Sequence, residues 1–354
     1  MKIATTRAVL AAVTFALVAG MLAACSLGTA STGLKIGLLL PDSVTTRYDS
    51  ADRPFFEKRI HELDPSATVL YANADGDAAN QQQQAESMLT AGAKVLVLSP
   101  FDSKAAQAIV TESLARGVPV ISYDRLIAGG KAAYYISFDN ERVGEMQATA
   151  LIEKLHSSGV PSGSGILEVN GSPTDANAIQ FKAGAHRVLA SSGYTTLAEF
   201  DTPGWIPSQA QDWVSGQITK YGDRITGVLA ANDSVAGGVI AALKAAGLRR
   251  LPPVTGQDAE LAGLQRILVG DQYMTVFKDL KPEADKAAEL AIALSRHQKP
   301  AGQTTVDGVP SFLLSPVSVT AGTIADTVVK DGFYTAAQIC TPTYAAACRA
   351  NGLG

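Results

Sequence analysis

Three shortages in the 354-residue chain each remove a class of function. Cysteine occurs three times and histidine four times, with no paired spacing of the kind a structural zinc site uses, so neither a metal centre nor a metal cofactor is expected. Positive charge is scarce. Lys and Arg total 29 against 33 Asp and Glu, and a net charge of −4 leaves no concentrated basic surface for nucleic acid. Catalytic signatures are missing too: no GxSxG elbow occurs, and the glycines of "GSGILEVNG" flank a strand, which makes a poor dinucleotide fingerprint. No organic cofactor is expected.

What the chain has in quantity is apolar sequence. Hydrophobic residues make up 47% and charged residues 18%, enough for a substantial core and too apolar for disorder. The amino terminus reads as an export signal. Lys2 and Arg7 precede the uncharged run "AVLAAVTFALVAGMLAA", and "LAAC" ends it at Cys25. Small residues before that cysteine resemble a bacterial lipoprotein signal, in which residues 1–24 are removed and a lipid on Cys25 attaches the protein to the outer face of the cell membrane, or holds it in the periplasm. An uncleaved anchor or a plain secretory signal is the alternative; in each case the protein works outside the cytoplasm. In such an oxidising compartment Cys340 and Cys348, separated by seven residues, read as a disulfide clipping the tail, with two buried free thiols as the alternative.

After a linker (25–33), strand and helix signals alternate. "LKIGLLL", "ATVLYAN", "KVLVLSP" and "VPVISYD" are strand-like, with helices near 50–63, in "NQQQQAESMLTAG" and in "SKAAQAIVTESLARG". The pattern restarts at "AAYYISFD". A helix near 141–155 follows, then "GSGILEVNG", "TTLAEFD", a helix near 207–220, "ITGVLAAND", "LPPVTGQD" and "QYMTVFK". Beyond the helix "KPEADKAAELAIALSR" the sequence is mostly extended and irregular. Repeated βα units imply parallel sheets covered by helices, and two such series predict an α/β fold of two doubly wound lobes with shared crossovers.

Ligands of open α/β sheets bind outside the carboxyl ends of the strands. There the chain concentrates polar groups: Asp124 and Arg125 after "VISY", Asp175 and Asn177 in "GSPTDANA", Asn232 and Asp233 after "LAA", Gln257 and Asp258 in "VTGQD", and Lys278 after "TVF". Trp205 stands in the loop "DTPGWIP". Singly, each has a plain structural reading: an Asn or Asp as a helix cap, Asp124 and Arg125 as a surface ion pair worth ~0–1 kcal/mol, the tryptophan as core. Together they suit a polyhydroxylated ligand, because carboxylates accept from hydroxyls, Arg and Lys donate to them, and an aromatic ring covers the apolar face of a sugar. A glycosidase would need two of these carboxylates across a bond, but binding without chemistry fits the inventory better.

The motifs "YDR", "YYISFDNERVGEMQA", "GSPTDANA", "GWIP", "ANDSVAGG", "GQDAELAGLQRI" and "MTVFK", with "DGVPSFLLSPVSVT" late in the chain, resemble the D-xylose-binding proteins among the periplasmic substrate-binding proteins of ABC sugar importers. The resemblance spans about 34 to 333. It implies that a monosaccharide, D-xylose first, is held by Arg47, Asp124, Arg125, Asp175, Asn177, Trp205, Asn232, Asp258 and Lys278, with Tyr48 where the family usually has a stacking tryptophan. That substitution leaves another pentose, a hexose or a sugar alcohol open. The resemblance further implies an amino-terminal lobe of 34–137 plus 279–314 and a carboxyl-terminal lobe of 138–278 plus 315–354. Hinge crossings are expected near Ser137–Asn140, Lys278–Pro282 and Leu314–Val317. A monomer that closes on its sugar and is read by a membrane permease, or by a membrane sensor, is the expected working form.

Overall fold

A computed structural model describes residues 33–248 and 250–354. The predicted signal, Cys25 and most of the linker lie outside the described residues. Among those described, no helix is long and apolar enough to cross a membrane.

The first βα series builds one sheet. Strands β1 (Lys35–Leu40), β2 (Thr68–Asn73), β3 (Val95–Leu98), β4 (Val120–Tyr123) and β5 (Tyr134–Phe138) run parallel, and helices α1 (Arg53–Leu63), α2 (Ala78–Thr90) and α3 (Gln107–Ala115) serve as crossovers. Every residue of β3, β4 and β5 is buried, as an apolar run covered by helices on both faces requires. Two late strands complete the sheet. β11 (Val309–Leu314) joins β5 in parallel, and β10 (Thr304–Val306) pairs antiparallel with β11 at the edge.

The second series makes another lobe. Helix α4 (Asn140–Ser157) leads to β6 (Gly165–Asn170), α5 (Ala176–Leu189), β7 (Thr195–Asp201), α6 (Pro207–Tyr221), β8 (Ile225–Ala230) and α7 (Asp233–Ala245). β6 lies between β7 and β8, parallel to both. Helices α4 and α5 touch backbone to backbone because glycines face each other. A Cβ on Gly144 would sit 1.9 Å from the Phe181 carbonyl oxygen, and one on Gly184 would sit 2.0 Å from that of Glu141. Helix α8 (Leu261–Leu268) and strand β9 (Met274–Phe277) follow; β9 pairs antiparallel with β12 (Val317–Thr320).

Two expectations are corrected here. "LPPVTGQD" is not a full strand. It makes one bridge, Val228 to Val254, and reaches β9 through the Val276 amide, which donates to the Gly256 carbonyl. Pro252 and Pro253 carry no N–H and cannot extend a ladder in mid-sheet. Nor is the tail mainly extended and irregular: helical turns occupy Ala325–Val329, α10 (Ala336–Ile339) and α11 (Ala345–Ala350). A reciprocal cap between Thr335 and Gln338 starts α10, and Ile339, Cys348 and Leu353 pack with Phe277 and Val319. In this tail the Cys340 and Cys348 sulfurs are bonded, with Cα atoms 5.9 Å apart.

The chain passes between the two sheet systems three times. It leaves β5 for α4, leaves β9 for α9 (Leu280–Ser295), which packs on α1, and leaves β11 for β12. The carboxyl ends of both strand sets therefore face each other across these passages.

Candidate functional site

Where those strand ends meet, the chain encloses a tight cavity of about 20 Å³. All ten residues predicted for the site line it: Arg47, Tyr48, Asp124, Arg125, Asp175, Asn177, Trp205, Asn232, Asp258 and Lys278. None is more than 3% exposed, so this is an interior between lobes and not a surface groove. Arg47 and Tyr48 come from the turn after β1, Asp124 and Arg125 from the end of β4, Asp175 and Asn177 from the start of α5. Trp205 comes from the turn after β7, Asn232 from the end of β8, and Asp258 and Lys278 from either side of β9. The plain cap reading also holds, alongside the site. Asp175 accepts from the Asn177 amide and Asn232 from the Val235 amide, which fixes both side chains at the cavity wall.

Electrostatics organise the wall around two arginines. Arg47 Nε donates to Asp52 Oδ2 (2.8 Å), Nη2 donates to Asp52 Oδ1 and Glu283 Oε2 (2.7 Å each), and Nη1 donates to Asp124 Oδ1 (3.1 Å). Arg125 reaches Asp175 Oδ2 through Nε (2.9 Å) and Asp42 Oδ2 through Nη2 (3.1 Å). Lys278 Nζ lies 2.8 Å from Asp258 Oδ1 and 4.0 Å from Asp124 Oδ1. The Tyr48 ring stands between the two guanidinium groups, 5.5 Å from each, and its hydroxyl donates to Asp124 Oδ2 at 2.8 Å.

These contacts set the protonation states. Burial on its own would raise the Asp124 carboxyl, but Arg47, Lys278 and Arg125 together hold it below the usual carboxylate range. Burial wins at Asp175, which is raised in spite of Arg125. It wins more strongly at Glu283, which lies well above the usual range although Arg47 opposes the shift. Both guanidinium groups remain charged, since their acids outweigh the cost of desolvation.

Several polar atoms of this interior have no protein partner: Arg125 Nη1, Thr45 Oγ1, Gln257 Oε1 and Asp258 Oδ1, whose contact with Lys278 lacks hydrogen-bond geometry. Buried groups of this kind are normally satisfied, so an unsatisfied set around one cavity fits a hydrogen-bonding ligand. Only one terminal amine of Arg125 is available to it, because the other two nitrogens are engaged by Asp175 and Asp42. Three cations face six carboxyl groups here, those of Asp42, Asp52, Asp124, Asp175, Asp258 and Glu283, so an anionic ligand finds no uncommitted cation. A neutral molecule with several hydroxyls can use both the donors and the acceptors. Backbone strain gathers at the same place. Asp124, Trp205 and Asp258 have φ of 56°, 60° and 87°, values non-glycine residues rarely adopt and that aim their side chains inward.

The tryptophan is held edge-on to Phe181 (6.4 Å between centroids), and its Nε1 donates to Asp175 Oδ2 at 3.0 Å. Gly171 makes room for the ring, since a Cβ there would lie 2.0 Å from the indole. Thr45, Phe181 and Gln257 also line the cavity and were absent from the predicted set, although Gln257 stood out as a strand-end residue. Phe181 had a usable signal: it falls one helical turn after Asn177, on the same face of α5. Asp42, Asp52 and Glu283, which orient the arginines, had none of comparable strength.

Comparison with known proteins agrees with this architecture. The model of the periplasmic binding protein domain matches residues 36–299. The chain is 38% identical over 314 residues to the D-xylose-binding periplasmic protein of Escherichia coli (strain K12), covering 86% of this chain and 92% of that one. It is 31% identical to the multiple sugar-binding periplasmic receptor ChvE of Rhizobium radiobacter, with 86% and 92% covered. Among solved structures, the ABC transporter solute-binding protein of Clostridium phytofermentans with bound β-D-glucose superposes with a TM-score of 0.78 at 30% identity, covering 86% and 99%. Two sheet lobes around an enclosed polar cavity, a family model spanning most of the chain and a relative at 38% identity lead to one assignment: this chain belongs to the periplasmic binding protein family, and it is a binding protein, not an enzyme.

Proposed function

We propose that the protein binds a neutral monosaccharide, D-xylose first, between its lobes outside the cytoplasm and hands it to an ABC import permease. The observation that carries this reading is the convergence of ten buried polar and aromatic residues on one cavity whose unpaired atoms are both donors and acceptors. Similarity to D-xylose-binding and multiple sugar-binding proteins supports the substrate class. The lobes, 34–137 plus 279–314 and 138–278 plus 315–354, move as a hinged pair about the three chain passages, and the closed form is the one a permease reads. A lipid on Cys25 attaches the monomer to the membrane; the "LAAC" sequence closing an apolar run supports this.

Tyr48 favours a second reading within the same class. Its phenol occupies an Asp124 oxygen that would otherwise meet a sugar hydroxyl, which suits a hexose, another pentose or a sugar alcohol with a different hydroxyl arrangement on that side. A thermal-shift screen against pentoses, hexoses and polyols tests both. A sugar at about 100 times its dissociation constant adds about 2.7 kcal/mol of stability. A shift with D-xylose supports the first reading, and a shift only with another sugar supports the second. No shift with any sugar refutes the site. Gln257→Met, which keeps the side chain's length but removes its unpaired carbonyl, should weaken binding of the responding sugar about tenfold in calorimetry.

A further inference from the structure

Away from the cleft, β6 and β7 place Glu168 and Glu199 directly opposite each other in register, so both carboxylates leave the same face of the sheet. Like charges directly opposite each other destabilise a sheet unless something positive lies between them. From α5, His186 Nε2 reaches to 2.9 Å from Glu168 Oε2 and 3.4 Å from Glu199 Oε2. Glu168 is the informative member. It sits on the central strand with its side chain 2% exposed, and Oε2, though in contact with the imidazole, accepts no hydrogen bond of proper geometry. Its other oxygen is held at 2.5 Å by Thr196 Oγ1, which fixes the carboxylate with Oε2 toward the histidine. The neighbouring Lys182 is spent on Asp201 (3.0 Å) and Glu199 (3.4 Å), and among the described residues no Lys or Arg nitrogen comes within 4.0 Å of Glu168. A buried carboxylate oxygen is therefore left facing an imidazole with no hydrogen bond and, among the described residues, no Lys or Arg beside it.

We propose that Glu168, His186 and Glu199 form a site for a divalent metal ion of the zinc type. Their donor atoms lie within 4.8 Å of one another. Zinc bound tetrahedrally at about 2.0–2.1 Å sets its ligands about 3.3 Å apart; the two separations from His186, 2.9 and 3.4 Å, bracket that spacing, and the two carboxylates lie within 4.8 Å of each other. One imidazole with two carboxylates suits zinc, whereas calcium and magnesium need six or more oxygens. His186 and Glu199 are about half exposed, which provides an entry path and a fourth position for water. The ion neutralises the facing acids and ties α5 to the sheet. The site is separate from the cleft: Asn177 and His186 are about 14 Å apart along the helix at 1.5 Å per residue.

The test is calorimetry of the chelator-treated full chain with zinc chloride, alongside His186→Ala, Glu199→Gln and, as a surface control, His156→Ala. One zinc ion per chain is expected, with a dissociation constant raised at least tenfold in His186→Ala and in Glu199→Gln and unchanged in His156→Ala. Calcium chloride should give no heat. Absence of zinc binding, or equal affinity in all variants, overturns the proposal. Melting curves without metal check that each variant folds; if His186→Ala does not, the rim variant Glu199→Gln decides alone. Sugar binding, read separately, is unchanged by these substitutions.

Discussion

Replacing Arg47 with methionine keeps most of its volume and removes its charge. In the folded protein that guanidinium donates four hydrogen bonds to three buried carboxyl groups, those of Asp52, Asp124 and Glu283, and lies 3.9 Å from Asp258. Breaking a buried ion pair from one side costs about 3–5 kcal/mol, because the partner charge stays desolvated; an exposed pair would cost ~0–1 kcal/mol. Lys278, 4.0 Å from Asp124, can take up part of the load, so a loss near 3 kcal/mol at pH 7 is expected. The sign of the pH dependence follows from the acids. Asp124 is held below its ordinary range largely by Arg47, so its stabilising contribution in the native protein is present above the unfolded carboxylate range and is lost as pH falls through the folded value. The variant lacks that contribution from the start, and Glu283, already raised by burial, protonates more readily without Arg47. The deficit should therefore shrink from pH 7 toward pH 3, below the unfolded carboxylate range, where the Asp124 contribution is lost. Urea unfolding at both pH values, with the slope m checked for constancy, measures it. A loss below about 1 kcal/mol at pH 7, or one that does not change with pH, would mean that packing and not charge holds this corner, and the electrostatic account would fail.

The buried acids behind the cleft give a second test. Burial raises Asp233 to about 7, and burial together with the Asp233 charge raises Glu260 to about 8. Both folded values exceed the unfolded ones, near 3.9 and 4.3, so their stabilisation is complete in acid and is lost as pH rises toward 8. Melting temperature should fall between pH 5.5 and 8.5, and Glu260→Gln should flatten that fall; an equally steep slope in the variant would contradict the assignment. The Cys340–Cys348 bond, with a sequence separation of 8, closes a short loop whose chain-entropy contribution is about 2–3 kcal/mol. The double alanine variant should lose about that much and expose the tail to protease first; an unchanged melting temperature and digestion pattern would show the tail is held by packing alone.

Element types were legible wherever burial and period agreed. "VLVL", "VISY" and "YYISF" are apolar at nearly every position, and a parallel strand covered on both faces needs just that pattern. "LPPVTGQD" misled because its apolar residues and its place after a helix look like the next strand, while the two prolines forbid the ladder. The tail misled differently. Short helices such as Ala345–Ala350 carry too few residues to show a 3.6 period, and they are stabilised by packing on Phe277 and Val319, which are distant in sequence.

The candidate site divides along the same physical line. Ten of the thirteen residues that meet the cavity follow strand ends or start a helix there, where local pattern marks the place, and motif resemblance named them. The residues that orient them do not. Glu283 falls in "KPEADKAAELAIALSR", an alternation of charge and alanine that reads as a solvated helix face. Yet α9 packs on α1 so that this one glutamate is fully buried against Arg47. Asp52 directly precedes α1 but caps nothing: both of its oxygens accept from Arg47 and one also from the Tyr123 hydroxyl. Their roles depend on which helix a distant helix meets, a fact of topology that no local spacing encodes. Specificity in such a site is accordingly set in two layers. One touches the ligand and can be read along the chain; the other fixes the charge and aim of the first and becomes visible only once the lobes are assembled.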